Sequence, residues 1–402
     1  MTELYTLLKQ SAGQACDTQR GNGSLPAGQN GPYNDSETPV RNTSHWLLTF
    51  SKLYDQTQDV QFRDAAQEAI SYLLSDEARP GGATFHHRSV ENKDSCNGVM
   101  GQAWTIEALT VAAETLERDD LLEVAEDVFL SHPFNETIGL WKQVEIDGTV
   151  LGFDATFNHQ LWFAAAGGLL ARHETVSKEV EQQVLTFLDQ LEETVSIAPP
   201  GLIYHRSLPK FGVRTAVDLA KEDTKLFVLS TLEWTNLTGN RALDAVFNSR
   251  VAPVRRAPLS GEEHIHKSAG YHSFNLYALA LLYESYPDHS FWSTDTFEAI
   301  LSYAESRAYV QRLQDNKFGY AYNPPGFEIP FALETFYGDQ SREQQKIWLK
   351  RQLERTYDPA TNRLSRNNPD PETLTARLYE ATRLPNLEVE LDITEPSSEP
   401  SR

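Results

Sequence analysis

Apolar stretches alternate with polar, charged stretches six times along this chain. Each apolar stretch has an aromatic residue near its start, and the intervals between successive aromatics are 58, 58, 65, 50 and 54 residues. A repeat of this length is typical of arrays of helical hairpins, in which each hairpin needs its neighbours to bury its apolar face. The six aromatics are Trp46, Trp104, Trp162, Phe227, Tyr277 and Phe331.

Two kinds of helix are predicted within each repeat. The first, as in residues 103–113, is apolar on all sides, and the second, as in residues 179–191, has one charged face. A helix that is apolar all round is buried, whereas an amphipathic helix faces water. The pattern therefore predicts an all-α fold, an (α/α)6 toroid with an inner and an outer ring of six helices and short β-hairpins or loops at its mouth. We expect residues 1–385 to form this single domain and the acidic residues 386–402 to form a disordered tail.

The charge balance limits the partners of such a domain. The 402 residues include 35 Lys plus Arg and 57 Asp plus Glu, for a net charge of −22. An acidic surface repels nucleic acid and anionic membranes, so neither is an expected partner, and the composition favours a halophilic source. Two cysteines form no disulfide framework, and no apolar run approaches the ~18 residues of a membrane span. We therefore expect a cytoplasmic protein; its oligomeric state stays open.

Polar residues that precede the inner helices are the candidates for a functional site, because those helix ends meet on one face of a ring. Eight of the 11 histidines fall in these loops or first turns. Residues 16–38 form a long Gly-, Asn- and Pro-rich loop, a kind that is usually functional or disordered. As catalytic candidates we take Asp94, Asp154, Tyr271 and His272. As substrate-binding candidates we take Arg41, His45, His86, His87, Arg88, Trp104, His159, Tyr204, His205, Arg206, His264, His266, Tyr320, Tyr322 and Glu328.

This set of side chains indicates a carbohydrate ligand. Aromatic faces stack on sugar C–H surfaces, and paired carboxyl groups can perform acid and base chemistry at a glycosidic carbon. Arginine and histidine clusters complement a sugar that is itself anionic, such as a uronic acid. His264 and His266 lack the cysteine partners or the His-Glu-x-x-His spacing of a zinc site, so we predict no metal and no cofactor.

Each candidate also has a structural interpretation. Asp94 and Asp154 lie just before inner helices, where an aspartate that caps the helix is common. Tyr271 and His272 would be a proton donor and acceptor at the cavity floor, or equally a structural pair. Aromatic residues on the inner helices belong to the core more often than to a ligand platform.

The predicted ring resembles the six-hairpin glycosidases, and two strings resemble the unsaturated glucuronyl hydrolases among them. One is Gly-Gln-Ala-Trp at 101–104 with Asp94 seven residues upstream, and the other is Asp-Ala-Thr-Phe-Asn at 154–158. This resemblance implies that Asp94 is a catalytic acid/base and that Asp154 is the second essential carboxylate. Gly98 and Met100 stand where that family has Trp and Arg, and the order of the two strings is reversed.

Over the whole chain, the acidic composition and two further segments resemble the haloarchaeal AglQ proteins. The similarity lies in residues 33–46, Tyr-Asn-Asp-Ser-Glu-Thr-Pro-Val-Arg-Asn-Thr-Ser-His-Trp, and residues 157–163, Phe-Asn-His-Gln-Leu-Trp-Phe. Membership of this group implies a place in protein N-glycosylation, in connection with the hexuronic acid of the glycan. A lipid-linked glycan and a nucleotide sugar are both compatible forms of the substrate.

Three hypotheses of function follow. The first is hydrolysis or hydration of a uronic-acid-containing saccharide, in which Asp94 is the general acid/base, Asp154 is its partner and arginine and histidine hold the substrate carboxylate. The second is a uronate or sugar epimerase or isomerase, which needs His or Tyr for proton abstraction. The third is a glycan-binding protein without catalysis. The carboxylate-holding residues would be Arg41, His87, Arg88 and Arg206, and the proton-transfer residues would be Tyr271, His272, His205 and His159.

Overall fold

The computed structural model of the protein describes residues 2–205 and 261–392. Its α-helices are, in chain order, α1 Leu4–Thr18, α2 Val40–Thr57, α3 Val60–Leu73, α4 Gly98–Leu116, α5 Asp119–Ser131, α6 Phe157–Leu170, α7 Lys178–Asp189, α8 Leu191–Thr194, α9 Gly261–Ser285, α10 Asp295–Ala304, α11 Arg307–Arg312, α12 Pro325–Tyr337, α13 Arg342–Thr356 and α14 Pro371–Ala376. Short 3-10 helices span Gly31–Tyr33, Ser290–Ser293, Gly338–Ser341 and Arg377–Arg383. The strands are β1 Thr2–Glu3, β2 Phe134–Asn135, β3 Leu140–Val144, β4 Val150–Phe153, β5 Ile197–Ala198, β6 Leu202–Ile203 and β7 Glu388–Val389.

The inner elements close into a ring. Helix α2 packs on α4, α4 on α6, α6 on α9 and α9 on α12, and the 3-10 helix Arg377–Arg383 packs on both α12 and α2. The predicted (α/α)6 toroid is thus confirmed, and among the described residues the segment 371–383 supplies an inner element that we did not predict. The inner helix that we predicted around Phe227 lies outside the described residues, and α6 contacts α9 directly.

Burial explains which helices are inside. Every residue of α4 from Gly98 to Ala113 is buried, as expected for a helix that is apolar all round. Helix α7, in contrast, buries one stripe against the ring, and the side chain of Ser177 caps it by accepting a hydrogen bond from the Glu179 amide. The stripe consists of Val180, Val184, Phe187 and Leu188.

The two ends of the described chain meet. Strands β1 and β7 pair antiparallel, and α1 packs against α2, α3 and the 3-10 helix Arg377–Arg383. The Tyr5 hydroxyl donates to the Leu384 carbonyl at 3.0 Å, which adds to this junction. Helix α1 is therefore the outer partner of the last inner element. The predicted tail starts at residue 386, yet β7 within it is a strand of the domain.

Small hairpins and loops form the mouth, as predicted. Strands β2, β3 and β4 make a three-stranded antiparallel sheet before α6, and β5 and β6 pair after α8. Buried glutamines hold these segments to the inner helices: Gln102 bonds both the Phe85 amide (2.8 Å) and the Cys96 carbonyl (2.9 Å), and Gln160 bonds the Trp141 amide and carbonyl (both 2.9 Å). Among the described helices, none has a length and hydropathy that would let it cross a membrane.

Candidate functional site

Arg41, His45 and His87 surround the indole of Trp104 inside the ring. Arg41 and His45 are four residues apart on α2 and therefore share one face of that helix. The Arg41 guanidinium lies 4.2 Å from the Trp104 ring centroid, and the His45 and His87 rings lie 5.4 and 6.1 Å from it. We call these four residues the Trp104 cluster. All four were predicted, and the structure brings them together.

Arg41 is 1% exposed, and its guanidinium is only partly used. Nη1 donates to Asn30 Oδ1 and to Glu37 Oε1, both at 3.0 Å. Nε and Nη2 have no hydrogen-bond partner within residues 2–205 and 261–392. These two donors lie on one edge of the planar fork, the edge that binds a carboxylate with two parallel hydrogen bonds. A buried arginine with that edge unoccupied is suited to an anionic ligand.

The two histidines of the cluster also have ring nitrogens without a hydrogen-bond partner in the described residues. His45 stacks on Tyr379 at 4.5 Å, and neither of its ring nitrogens has a partner in the described part of the chain. His87 Nε2 lies 3.3 Å from Thr105 Oγ1, while its Nδ1 has no described partner. Burial, with a smaller contribution from the Arg41 charge, holds the pKa of both imidazoles well below 6.5. Both rings are therefore neutral near pH 7 and can accept a proton.

A buried ion-pair cluster closes the ring beside these residues. Arg377 Nη2 donates to Glu328 Oε1 at 2.7 Å and also to Glu380, while Arg377 Nη1 donates to Asn323 Oδ1 at 2.7 Å. Burial, together with the neighbouring Glu380 charge, raises the pKa of Glu328. The sequence prediction included Glu328 but missed Arg377 and Glu380. A signal was present, since Arg377 and Glu380 stand three apart inside the stretch 374–382, whose other residues are apolar or threonine.

The predicted carboxylate pair meets at the start of α4. Asp94 Oδ1 accepts from the Gly98 amide at 2.8 Å, and Asp154 Oδ2 accepts from the next amide, Val99, at 3.3 Å. Both carboxylates thus bind the start of one helix: Asp94 caps the helix that follows it, as in its structural interpretation, whereas Asp154 binds α4 and not the start of α6. Trp104 lies six residues after Gly98, about 9 Å further along the helix axis. The pair therefore stands at the rim, and the Trp104 cluster lies deeper in the ring.

Asp154 is almost fully committed to protein partners. Its Oδ2 also pairs with His159 Nδ1 at 2.7 Å, and its Oδ1 accepts from the Thr156 amide at 3.1 Å. Burial alone would raise the pKa of Asp154, but the pairing with His159 and the backbone hydrogen bonds hold it below 3.8. The side chain is therefore an anion at neutral pH and is not suited to act as a general acid.

Arg88 holds the other carboxylate. Its Nη2 donates to Asp94 Oδ2 at 2.5 Å, and its Nη1 donates to Asn97 Oδ1 at 2.9 Å. His86 Nε2 lies 3.1 Å from the Arg88 carbonyl oxygen, and the ring is partly exposed. Arg88 and His86 thus form part of the rim with Asp94 and do not belong to the Trp104 cluster.

His272 has a structural position. Its Nδ1 accepts from the Ile203 amide at 3.3 Å, and its Nε2 donates to the Ile300 carbonyl at 3.1 Å. The ring thereby ties α9 to β6 and α10, and burial lowers its pKa to about 3. Because both nitrogens are bound to backbone, neither is available to transfer a substrate proton. We therefore replace our catalytic expectation for His272 with this bridging role.

Tyr271 stands closer to the cluster, separated from it by one aromatic ring. Its hydroxyl lies 2.6 Å from the Tyr33 hydroxyl, and its ring packs on His205 at 4.4 Å and on Tyr322 at 6.2 Å. Tyr322 in turn lies 5.7 Å from the Arg41 guanidinium. Burial raises the pKa of Tyr271 well above 10, so its hydroxyl is protonated at neutral pH.

Several predicted residues lie farther towards the mouth or outside the lumen. Tyr204 packs on His264 at 5.0 Å, and His266 is exposed beside Phe318. Arg206 lies outside the described residues. Tyr320 packs between α12 and α13 under Arg355, at 4.4 Å, and so does not contact the Trp104 cluster. In the described ranges, no group of three or more His, Cys, Asp or Glu side chains is arranged to hold a metal ion.

Comparison with known proteins identifies a full-length relative. No family model matches the chain. It is 47% identical over 392 residues to archaeal glycosylation protein Q of Haloferax volcanii, covering 98% of this chain and 100% of that protein.

Solved structures share the fold at low identity. A D-mannose isomerase matches with a TM-score of 0.54 and 11% identity (94% of this chain, 96% of that chain). The cellobiose 2-epimerase of Spirochaeta thermophila matches with 0.58 and 12% (94% and 95%), and a GH76 α-mannanase of Bacteroides thetaiotaomicron with 0.51 and 11% (95% and 96%). These likenesses support the toroid and carry no activity with them. Because it is 47% identical to the Haloferax volcanii protein over 98% of its own length, the chain belongs to the archaeal glycosylation protein Q family.

Proposed function

We propose that the protein is an epimerase or isomerase that acts on a uronic-acid-containing saccharide during glycan assembly. The observation that carries this proposal is the Trp104 cluster, in which the Nε and Nη2 edge of the buried Arg41, without a partner in the described residues, lies beside two neutral imidazoles. The glycosylation context is supported by the name of the Haloferax volcanii relative. A lipid-linked glycan and a nucleotide sugar are both compatible with the cluster.

Arg41 supplies the binding step. Its Nε and Nη2 would donate to the two oxygens of the sugar carboxylate, and the Trp104 face beneath the guanidinium would limit access of water. The bound carboxylate offsets the positive charge of Arg41 near His45 and His87. Because that charge contributes to their low pKa values, substrate binding makes both imidazoles stronger bases.

His45 or His87 supplies the proton-transfer step. The imidazole removes the proton from the carbon next to the carboxylate, which is C5 of a hexuronate, and the C–H electron pair moves into the carboxylate. Arg41 stabilises the added negative charge on those oxygens in a site that excludes water. A protonated imidazole then returns a proton to the same carbon, and delivery to the opposite face gives the C5 epimer. No bond to the neighbouring sugar breaks.

Hydrolysis of a uronoside is the second candidate, and one observation favours it. Asp94 and Asp154 accept hydrogen bonds from consecutive amides at the start of α4, which places both carboxylates at one helix end. Asp94 is the more accessible of the two, because 20% of its side chain is exposed at the rim. Against this candidate, each carboxylate already accepts hydrogen bonds from the protein.

Product analysis separates the two candidates. Purified protein is incubated with glucuronate, methyl β-glucuronide and UDP-glucuronate, and the products are resolved by chromatography and NMR. The proposal predicts an epimer or isomer with the glycosidic or phosphate linkage intact. Release of methanol or UDP, lost in Asp94→Asn and retained in His45→Gln, would replace the proposal with the hydrolase.

A further inference from the structure

The long loop before α2 places one buried side chain against the Trp104 cluster. Asn30 is 7% exposed and has left-handed backbone angles, with φ 56°. Its Oδ1 accepts from Arg41 Nη1 at 3.0 Å and from the Tyr322 hydroxyl at 2.6 Å. Its Nδ2 donates to Asp35 Oδ2 at 3.1 Å. Every polar atom of the Asn30 amide group is thereby bound to another side chain of the lumen wall.

The backbone on both sides of Asn30 is fixed from the far end of the chain. Asp370 Oδ2 accepts from the Gln29 amide at 2.9 Å and from the Gly31 amide at 2.8 Å. Gly31 itself has φ 53°, and a Cβ at this position would lie 2.2 Å from the Tyr322 ring. Glycine is therefore required for the close approach. The loop that the sequence analysis marked as long and polar is thus held rigidly where it meets Arg41.

The same network reaches the loop that carries His87. Asp35 forms an ion pair with Lys93, which lies in the segment between His87 and α4. The Thr38 amide also donates to the His87 carbonyl at 2.9 Å. Arg41 and His87 are therefore oriented within one frame of hydrogen bonds, and the Asn30 side chain links Arg41 to that frame.

We infer that Asn30 is a positioning residue that fixes Arg41 so that its buried Nε and Nη2 edge stays unpaired and can bind the substrate carboxylate. Asn30 and Glu37 both bind Nη1, so they fix the guanidinium by one corner and leave the opposite edge without a partner among residues 2–205 and 261–392. Without Asn30, Arg41 can rotate towards Glu37 and use a second donor there. The inference rests on the proposed function, because it assigns Arg41 to the carboxylate.

Replacement of Asn30 by glycine isolates the side chain, because glycine keeps the left-handed backbone. Asn92→Gly is the matched control, since Asn92 also has a positive φ, 64°, and is exposed. Calorimetry gives the dissociation constants of methyl β-glucuronide and methyl β-glucoside for each variant. We expect Asn30→Gly to reduce the preference for glucuronide by about 10-fold or more, the effect of one misplaced charge-assisted hydrogen bond. Asn92→Gly should keep the wild-type preference.

The ratio of the glucuronide and glucoside dissociation constants separates a positioning role from general destabilisation. General destabilisation would weaken the binding of both sugars by a similar factor. If Asn30→Gly does not fold, Asn30→Asp serves instead: it keeps the acceptor for Arg41 but places a carboxylate against Asp35, and the preference should again fall. A wild-type preference that survives in the folded Asn30 variant, while Arg41→Lys abolishes it, would overturn this inference alone. A wild-type protein that binds both sugars equally would overturn the proposed function.

Discussion

Arg41→Lys tests the carboxylate site without removing its charge. The lysine ammonium can still pair with Glu37, which is buried and needs a cation, but it has no planar fork. The wild-type guanidinium uses Nη1 for Asn30 and Glu37 and keeps Nε and Nη2 for the ligand. A lysine that satisfies the protein partners has lost one or both ligand bonds. Each charge-assisted bond contributes about 1.5–3 kcal/mol, so glucuronide affinity should fall roughly 10- to 100-fold.

The assay is titration calorimetry with methyl β-glucuronide and methyl β-glucoside, and thermal denaturation checks that the variant is folded. Arg88→Lys is the matched control, because Arg88 lies at the rim and binds Asp94 and Asn97. Arg41→Lys should weaken glucuronide binding and leave glucoside binding within a few-fold of wild type. If Arg88→Lys weakens glucuronide binding and Arg41→Lys does not, the carboxylate binds at the rim and our reasoning is refuted.

Three further predictions concern the framework. Asp154→Asn should lower the melting temperature, because it removes the anion that His159 and two amides share. An unchanged melting temperature would contradict this structural role of Asp154. His272 has a pKa lowered from 6.5 to about 3, so the fold loses stability as pH falls below 6.5, by about 2 kcal/mol at pH 5. Denaturant titrations at several pH values should show a smaller loss of unfolding free energy with falling pH in His272→Asn than in wild type. An equal loss in the two proteins would contradict the structural role of His272. Gly98→Ala places a Cβ 2.2 Å from Asp154 Oδ2 at φ 61° and should destabilise the fold by at least about 1–2 kcal/mol in the same titrations, whereas a neutral result would show that the α4 start can relax.

The inner helices were predictable because a helix that is buried on all sides requires a continuous run of mainly apolar residues. Helices α2, α4, α6, α9 and α12 all overlap predicted repeats, but α9 begins at Gly261, so His264 and His266 lie within a helix and not in a loop before it. The last inner element was missed, because Arg377 and Glu380 are charged residues that normally indicate exposure. Here they are buried because Arg377 pairs with both Glu380 and Glu328. A search for oppositely charged residues three or four positions apart would have identified this segment, whereas hydropathy does not.

The candidate site was predictable in composition but only partly in arrangement. Arg41, His45, His87 and Trp104 were named from sequence, because the starts of inner helices must converge on one face. Only the three-dimensional structure separates these four residues from the carboxylates at the rim. In the sequence, Asp94 and Asp154 fit a catalytic pair and a helix cap equally well.

Asn30 could not be singled out from the loop that contains it. Its contacts depend on the path of the backbone at Gly31 and on the Asp370 side chain, which is 340 residues away along the chain from Asn30. Local sequence patterns carry no information about such a contact. His272 illustrates the converse, because a histidine in a conspicuous Tyr-His pair turned out to bind backbone on both sides.

Hydrogen exchange at the carbon next to the carboxylate tests the central claim most directly. The protein is incubated with glucuronate and with UDP-glucuronate in D2O, and the H5 signal is followed by proton NMR beside a heat-denatured control. The proton-transfer account predicts that H5 is lost in at least one substrate with wild type, that replacing both His45 and His87 with Gln suppresses the loss, and that Asp94→Asn retains it. Retention of H5 with wild type, together with release of UDP that depends on Asp94, would contradict the account.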